Sequence, residues 1–163
     1  MSPELARAAL LRAEIARDWQ QVRTLAERVN SVDASKGPAE AALVALSLDH
    51  AYQAFETLLL RVERALGLPE RTRAGWHRSL LSDATLEIPE LRPAIVPRPV
   101  EPTWDQLRRF RHFLRHAYAV DLDPERLTKN VQGLLSAVNA TDPHIVALLT
   151  ALATDLESSA SDS

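Results

Sequence analysis

Apolar residues recur every three or four positions along most of the chain, and this period divides it into helices. Leu5, Ala8, Leu11, Ile15, Trp19, Val22, Leu25 and Val29 form one narrow stripe, which predicts a long helix from about Pro3 to Val32. Ser2 can cap it, and Pro3 suits the first helical position. Asp33 to Gly37 reads as a loop. Val44, Leu48, Tyr52, Phe55, Leu59, Val62 and Leu66 predict a second helix from about Pro38 to Leu66. Leu43, Leu46, Leu58 and Leu60 widen its face, so it is expected at the centre. Gly67 and Pro69 stop it. Two such helices joined by a short loop make an antiparallel hairpin about 45 Å long.

Thr72 to Ser82 reads as a short third helix with Trp76, Leu80 and Leu81 inward and a structural His77. Ile88 to Pro102 holds prolines 89, 93, 97, 99 and 102 and reads as a connector pinned by Ile95, Val96 and Val100. Thr103 is expected to cap the next helix, to about Val120, with Trp104, Leu107, Phe110, Leu114 and Ala117 on one face. Asp123 and Pro124 open another, with Leu127, Val131, Leu134, Leu135 and Val138 inward. Thr141-Asp142-Pro143 reads as a restart or kink before a last helix carrying Ile145, Leu148, Leu149, Leu152 and Leu156. The expectation is an all-α, up-and-down bundle over residues 1–157, followed by a disordered tail at 158–163.

Composition agrees with that class. The chain has 163 residues, 46% hydrophobic, with four glycines and no cysteine. Disulfides, zinc-thiolate sites and thiol nucleophiles are excluded. No run of 18 apolar residues predicts a membrane span, and the first helix lacks the apolar core of a signal peptide, so a cytoplasmic location is expected. The formal charge is −3. Without the arginines at 108, 109, 111 and 115 there remain 15 basic and 22 acidic residues, a balance of −7. The chain is acidic with one local basic stretch.

That stretch runs from Arg108 to Tyr118: Arg-Arg-Phe-Arg-His-Phe-Leu-Arg-His-Ala-Tyr. Its bases fall mainly on the arc left by the apolar face, with no acid among the first nine residues. His112 and His116 stack at four residues' spacing, with Arg115 beside them. Guanidiniums and imidazoles together could surround a phosphodiester, since arginine forks onto phosphate and histidine moves protons near neutral pH. A solvated basic face carrying two histidines is the competing reading. The pair could also take zinc, but no third ligand stands near. His50 beside Asp49 suits a local hydrogen bond, and His144 sits at an expected helix start.

Arg111, four residues, His116, one residue, Tyr118, with polar His112 directly after the arginine, resembles the signature of the HepT-like toxins of the HEPN superfamily. The resemblance implies a HEPN-type bundle that works as a homodimer. It also implies a metal-independent endoribonuclease, with no cofactor, whose catalytic residues are Arg111 and His116. His112, Arg115, Arg108 and Arg109 would support it or bind RNA, tRNA included. By the same resemblance, Tyr118 would accept AMP from an MntA-like nucleotidyltransferase antitoxin, which silences the toxin. The alternative is a non-catalytic HEPN dimer that binds RNA, nucleotide or its partner. An adaptor bundle with no use for Arg111 or His116 is a further rival.

Overall fold

The computed structural model describes residues 2–116 and 121–161, with side chains as far as Thr154. Its helices are α1 (Pro3–Asn30), α2 (Pro38–Ala65), α3 (Trp76–Asp83), α4 (Glu101–His116) and α5 (Pro124–Ser161). No strand lies among the described residues; one isolated bridge pairs Ile88 with Arg92. The all-α reading holds.

The hairpin of α1 and α2 is the frame. The Ser2 hydroxyl accepts from the Leu5 amide at 3.2 Å, and Asp33 caps the short 3₁₀ turn between the two helices. At the far end of α2, Gly67 takes a φ of 73°, where a side chain would be strained. Leu68 N–H then reaches back to the Glu63 carbonyl, closing the helix with a Schellman-type cap. α2 packs against each of the other four helices, so its central place follows its wide apolar face. Leu43 and Leu46, however, stay exposed.

Three local expectations are corrected. α3 begins at Trp76, not Thr72, because Gly75 turns left-handed there with a φ of 78°. α4 begins at Glu101, so Thr103 lies inside the helix and does not cap it. A 3₁₀ turn at Arg98–Val100 feeds straight into that helix. Pro143 does not restart a helix: α5 is continuous through it. Two tertiary contacts hold α5 at that point. The Trp104 indole donates to Thr141 Oγ1 at 3.1 Å, and the Trp19 indole donates to Asp142 Oδ1 at 2.8 Å. His144 is therefore mid-helix, and its Nδ1 donates to the Ala94 carbonyl at 2.9 Å, tying the connector to α5. The described backbone of α5 runs to Ser161, and neither Gly nor Pro occurs after Pro143.

The connector is pinned as expected. Ile95 and Val96 are buried, and both their amides donate to the Ala84 carbonyl. Buried Arg92 donates to the carbonyls of Asp83, Leu86 and Pro93, satisfying the end of α3. The core beneath α4 is aromatic. Trp104 is fully buried and stacks on Phe55 of α2, ring centroids 3.8 Å apart. Phe55 meets Trp19 of α1 edge-on at 6.3 Å. Trp104 thus joins α4 to the hairpin by stacking and to α5 by a hydrogen bond.

Candidate active site

α4 presents three arcs, set by a turn of about 100° per residue. Trp104, Leu107 and Phe110 are buried against the hairpin. Arg111 lies seven residues after Trp104, almost two full turns, and so falls within that buried arc and not on the solvent face. Its side chain is 13% exposed. Arg111 is thus an exception to the expectation that the basic residues fall mainly on the remaining arc.

Two acids of α2 receive Arg111. Its Nε lies 3.1 Å from Asp49 Oδ1, and its Nη1 3.8 Å from Glu56 Oε1. Asp49 Oδ1 and Arg111 Nε are both buried, yet they face each other without hydrogen-bond alignment. Charge holds the guanidinium there more than direction does, so it can turn without breaking a well-aligned bond. The other Glu56 oxygen lies 2.7 Å from Nδ1 of His77, whose ring stacks on Trp76 at 3.6 Å. His77 is structural, as expected, and it orients the carboxylate that meets Arg111. Tyr52 is buried between these groups. Burial first, and Glu56 second, push its phenol well above the ordinary range and keep it neutral.

The second arc holds His112 and His116, both exposed. Their ring centroids are 4.2 Å apart, tilted by 33°. His116 Nδ1 lies 2.8 Å from the His112 backbone oxygen. A carbonyl only accepts, so that nitrogen carries a proton. In the neutral ring Nε2 is then the basic nitrogen, free to take a proton from a ligand. Among the described residues, no carboxylate lies within ion-pair distance of His112, Arg115 or His116. Arg126 of α5 does not join this arc; its guanidinium covers the Phe113 ring at 4.5 Å.

The third feature is Asp105, one turn before the basic stretch and 3% exposed. Arg108 Nε donates to its Oδ1 at 2.8 Å. Arg109 Nη2 and Arg78 Nη1 lie 2.8 and 3.0 Å from its Oδ2. Burial alone would push this carboxyl up. The donors of Arg108 and Arg78 outweigh that and hold it below the ordinary value of 3.8. A carboxyl depressed in the folded chain adds stability above the unfolded value, and that stability is lost as pH falls through the folded one. Asp105→Asn is therefore expected to cost about 2 kcal/mol at pH 7. The gap to wild type should close in urea titrations below about pH 4. Parallel losses at pH 7 and pH 3 would contradict this assignment.

Of the residues singled out in the sequence, the structure brings His112 and His116 together, leaves Arg115 exposed beside them, and ties Arg108 and Arg109 to Asp105. Tyr118 lies outside the described residues. Asp49, Glu56 and Arg78 were missed. Asp49, Tyr52 and Glu56 step by three and four along an otherwise apolar face of α2, which is the signal that a cation must come to meet them.

No group of three metal-ligating side chains occurs among the described residues. No curated protein and no solved structure matches the chain. A family model described as HepT-like protein matches residues 43–152, from the second turn of α2 through the whole of α4 and most of α5. Since that match covers two-thirds of the 163 residues and includes the Arg111 to His116 motif, the chain belongs to the HepT-like family.

Proposed function

We propose that this protein is a metal-independent endoribonuclease, the toxin of a toxin–antitoxin pair. Family membership supports the class of activity. The observation that carries the reading is His116: an exposed imidazole with Nδ1 committed to a backbone carbonyl and Nε2 free. His116 takes the proton of a ribose 2′-hydroxyl, which attacks the adjacent phosphorus. The P–O5′ bond breaks, leaving a 2′,3′-cyclic phosphate and a 5′-hydroxyl. Arg111 offsets the charge that builds on the phosphoryl oxygens. His112 and Arg115 steady the substrate beside it, and Arg108 and Arg109 contribute positive charge along the same helix.

In this reading the active form is a homodimer, with the two copies of Arg111 and His116 meeting across a two-fold axis. One His116 then serves as base and its counterpart as acid. The single domain covers residues 1–157. Tyr118 is the acceptor of AMP from an MntA-like nucleotidyltransferase, and the added phosphate charge blocks the cleft. Purified protein is expected to cut bulk RNA or tRNA in EDTA. Protein co-produced with such a nucleotidyltransferase and ATP should gain one AMP and lose cleavage, whereas Tyr118→Phe should stay unmodified and keep cleaving. Cleavage that needs added metal would overturn the chemistry, and an adduct elsewhere would overturn the Tyr118 assignment.

One observation favours a second reading, a dimer that binds RNA or its partner without cutting. In this chain Arg111 is occupied by Asp49 and Glu56, where it neutralises α2 and not a phosphate. Binding of RNA without any products, even after removal of AMP, would select it.

A further inference from the structure

The stripe of α4 that carries the histidines continues toward Asp105. Asp105, Arg109, His112 and His116 are spaced by four, three and four residues, so they lie along one line of the helix. Resting on the ribonuclease reading, we infer that Arg78 and Arg109, fanned around Asp105, form a phosphate subsite for single-stranded RNA about 16 Å along α4 from His116.

Three observations carry this. First, Asp105 needs only one arginine for its own neutralisation, and Arg108, 23% exposed, already supplies it. Arg78 and Arg109 are 52% and 65% exposed, so both keep much of their surface open to a ligand. The cluster keeps an excess of two positive charges. Second, both outer guanidiniums share the single oxygen Oδ2. Two like charges are held close together at the surface, and an anion seated between them would relieve their repulsion. Third, each arginine spends one donor on Asp105 and keeps the others for a ligand. Asp105 restricts their rotation beforehand, so less freedom is lost when a phosphate arrives. Because Arg78 comes from α3, the subsite exists only in the folded chain. A separation of about 16 Å puts the bound phosphate several nucleotides from the cleaved bond, within the span of a 12-nucleotide RNA and beyond that of a dinucleotide.

The test uses a fluorescent 12-nucleotide RNA and the His116→Ala background, so that binding is read without cutting. Adding Arg78→Ala and Arg109→Ala should weaken binding at least about tenfold. The slope of log K against log salt should fall by about 0.7, the value for one phosphate contact. Arg78→Lys with Arg109→Lys should restore the slope, since the charges return. In the cleaving enzyme, the loss in kcat/KM should lie in KM and be greater for the 12-nucleotide RNA than for a dinucleotide. If the alanine pair unfolds, Arg78→Gln with Arg109→Gln, which keeps donors for Asp105, gives the same readings. An unchanged slope, or equal losses on both substrates, overturns the subsite while wild-type cleavage stands. Wild-type protein that neither binds nor cuts RNA overturns both readings.

Discussion

His116→Ala is expected to abolish RNA cleavage while leaving the fold intact. Removing a positioned acid–base group costs about 10²- to 10⁴-fold in rate. If His116 serves twice across a two-fold axis, both proton transfers fail in the same variant, and the upper end of that range applies. The side chain is exposed, and what it touches among the described residues, the His112 carbonyl and ring, belongs to its own helix. Melting should therefore stay within about 0.5 kcal/mol of wild type. His116→Asn separates the roles, because its amide can still donate to the His112 carbonyl but cannot accept a proton at catalytic pH. Its activity should match that of the alanine variant. Cleavage by either variant near the wild-type rate would remove His116 from the chemistry.

Trp104→Ala carries the largest expected loss of stability. Trp104 is fully buried, stacked on Phe55 and bonded to Thr141, and it joins three helices at one point. Truncating a buried tryptophan costs about 3–5 kcal/mol, the transfer of its surface plus the cavity left behind. For a chain of this size that lowers Tm by about 10 °C. Trp104→Phe keeps most of the stacking and leaves the buried Thr141 hydroxyl without its donor, so about 1–2 kcal/mol is expected. Urea unfolding of both variants checks the order. A loss below 1 kcal/mol for Trp104→Ala would mean that α4 is not held to the hairpin through this residue.

The long helices were legible because their cues are local. Ser2, Asp123 and Gly67 mark ends by their own side chains or backbone, and all three act where expected; Asp123 accepts from the Glu125 amide at 3.0 Å. Pro143 was misread for the opposite reason. The penalty of an internal proline is local, but the contacts that offset it come from Trp19 and Trp104, far away in sequence. The motif itself was legible as residue types at fixed spacing. Its electrostatics were not, because the stretch from Arg108 to His116 lacks acids in sequence yet meets them in space. Asp49 and Glu56 arrive from α2 and meet Arg111. Asp105 was visible three and four residues before Arg108 and Arg109, a spacing that predicts their pairing, but nothing local brings Arg78 to the same oxygen.

The burial of Arg111 bears on how the site works. In the proposed ribonuclease, an arginine held by two carboxylates is positioned at the cost of part of its charge. The contrast with Arg115 is physical: Arg111 is built into the bundle, whereas Arg115 is exposed and has no carboxylate within ion-pair distance among the described residues.

In the proposed reaction the 2′-hydroxyl of RNA is the nucleophile and the protein's own side chains do the rest. The most direct measurement uses one RNA that the protein cuts at a single position, in EDTA, beside the same RNA carrying a 2′-deoxynucleotide on the 5′ side of that bond. The account predicts a 2′,3′-cyclic phosphate end from the first and no cut at that position in the second. Cleavage of the deoxy-substituted bond, or products ending in a 5′-phosphate, would contradict it.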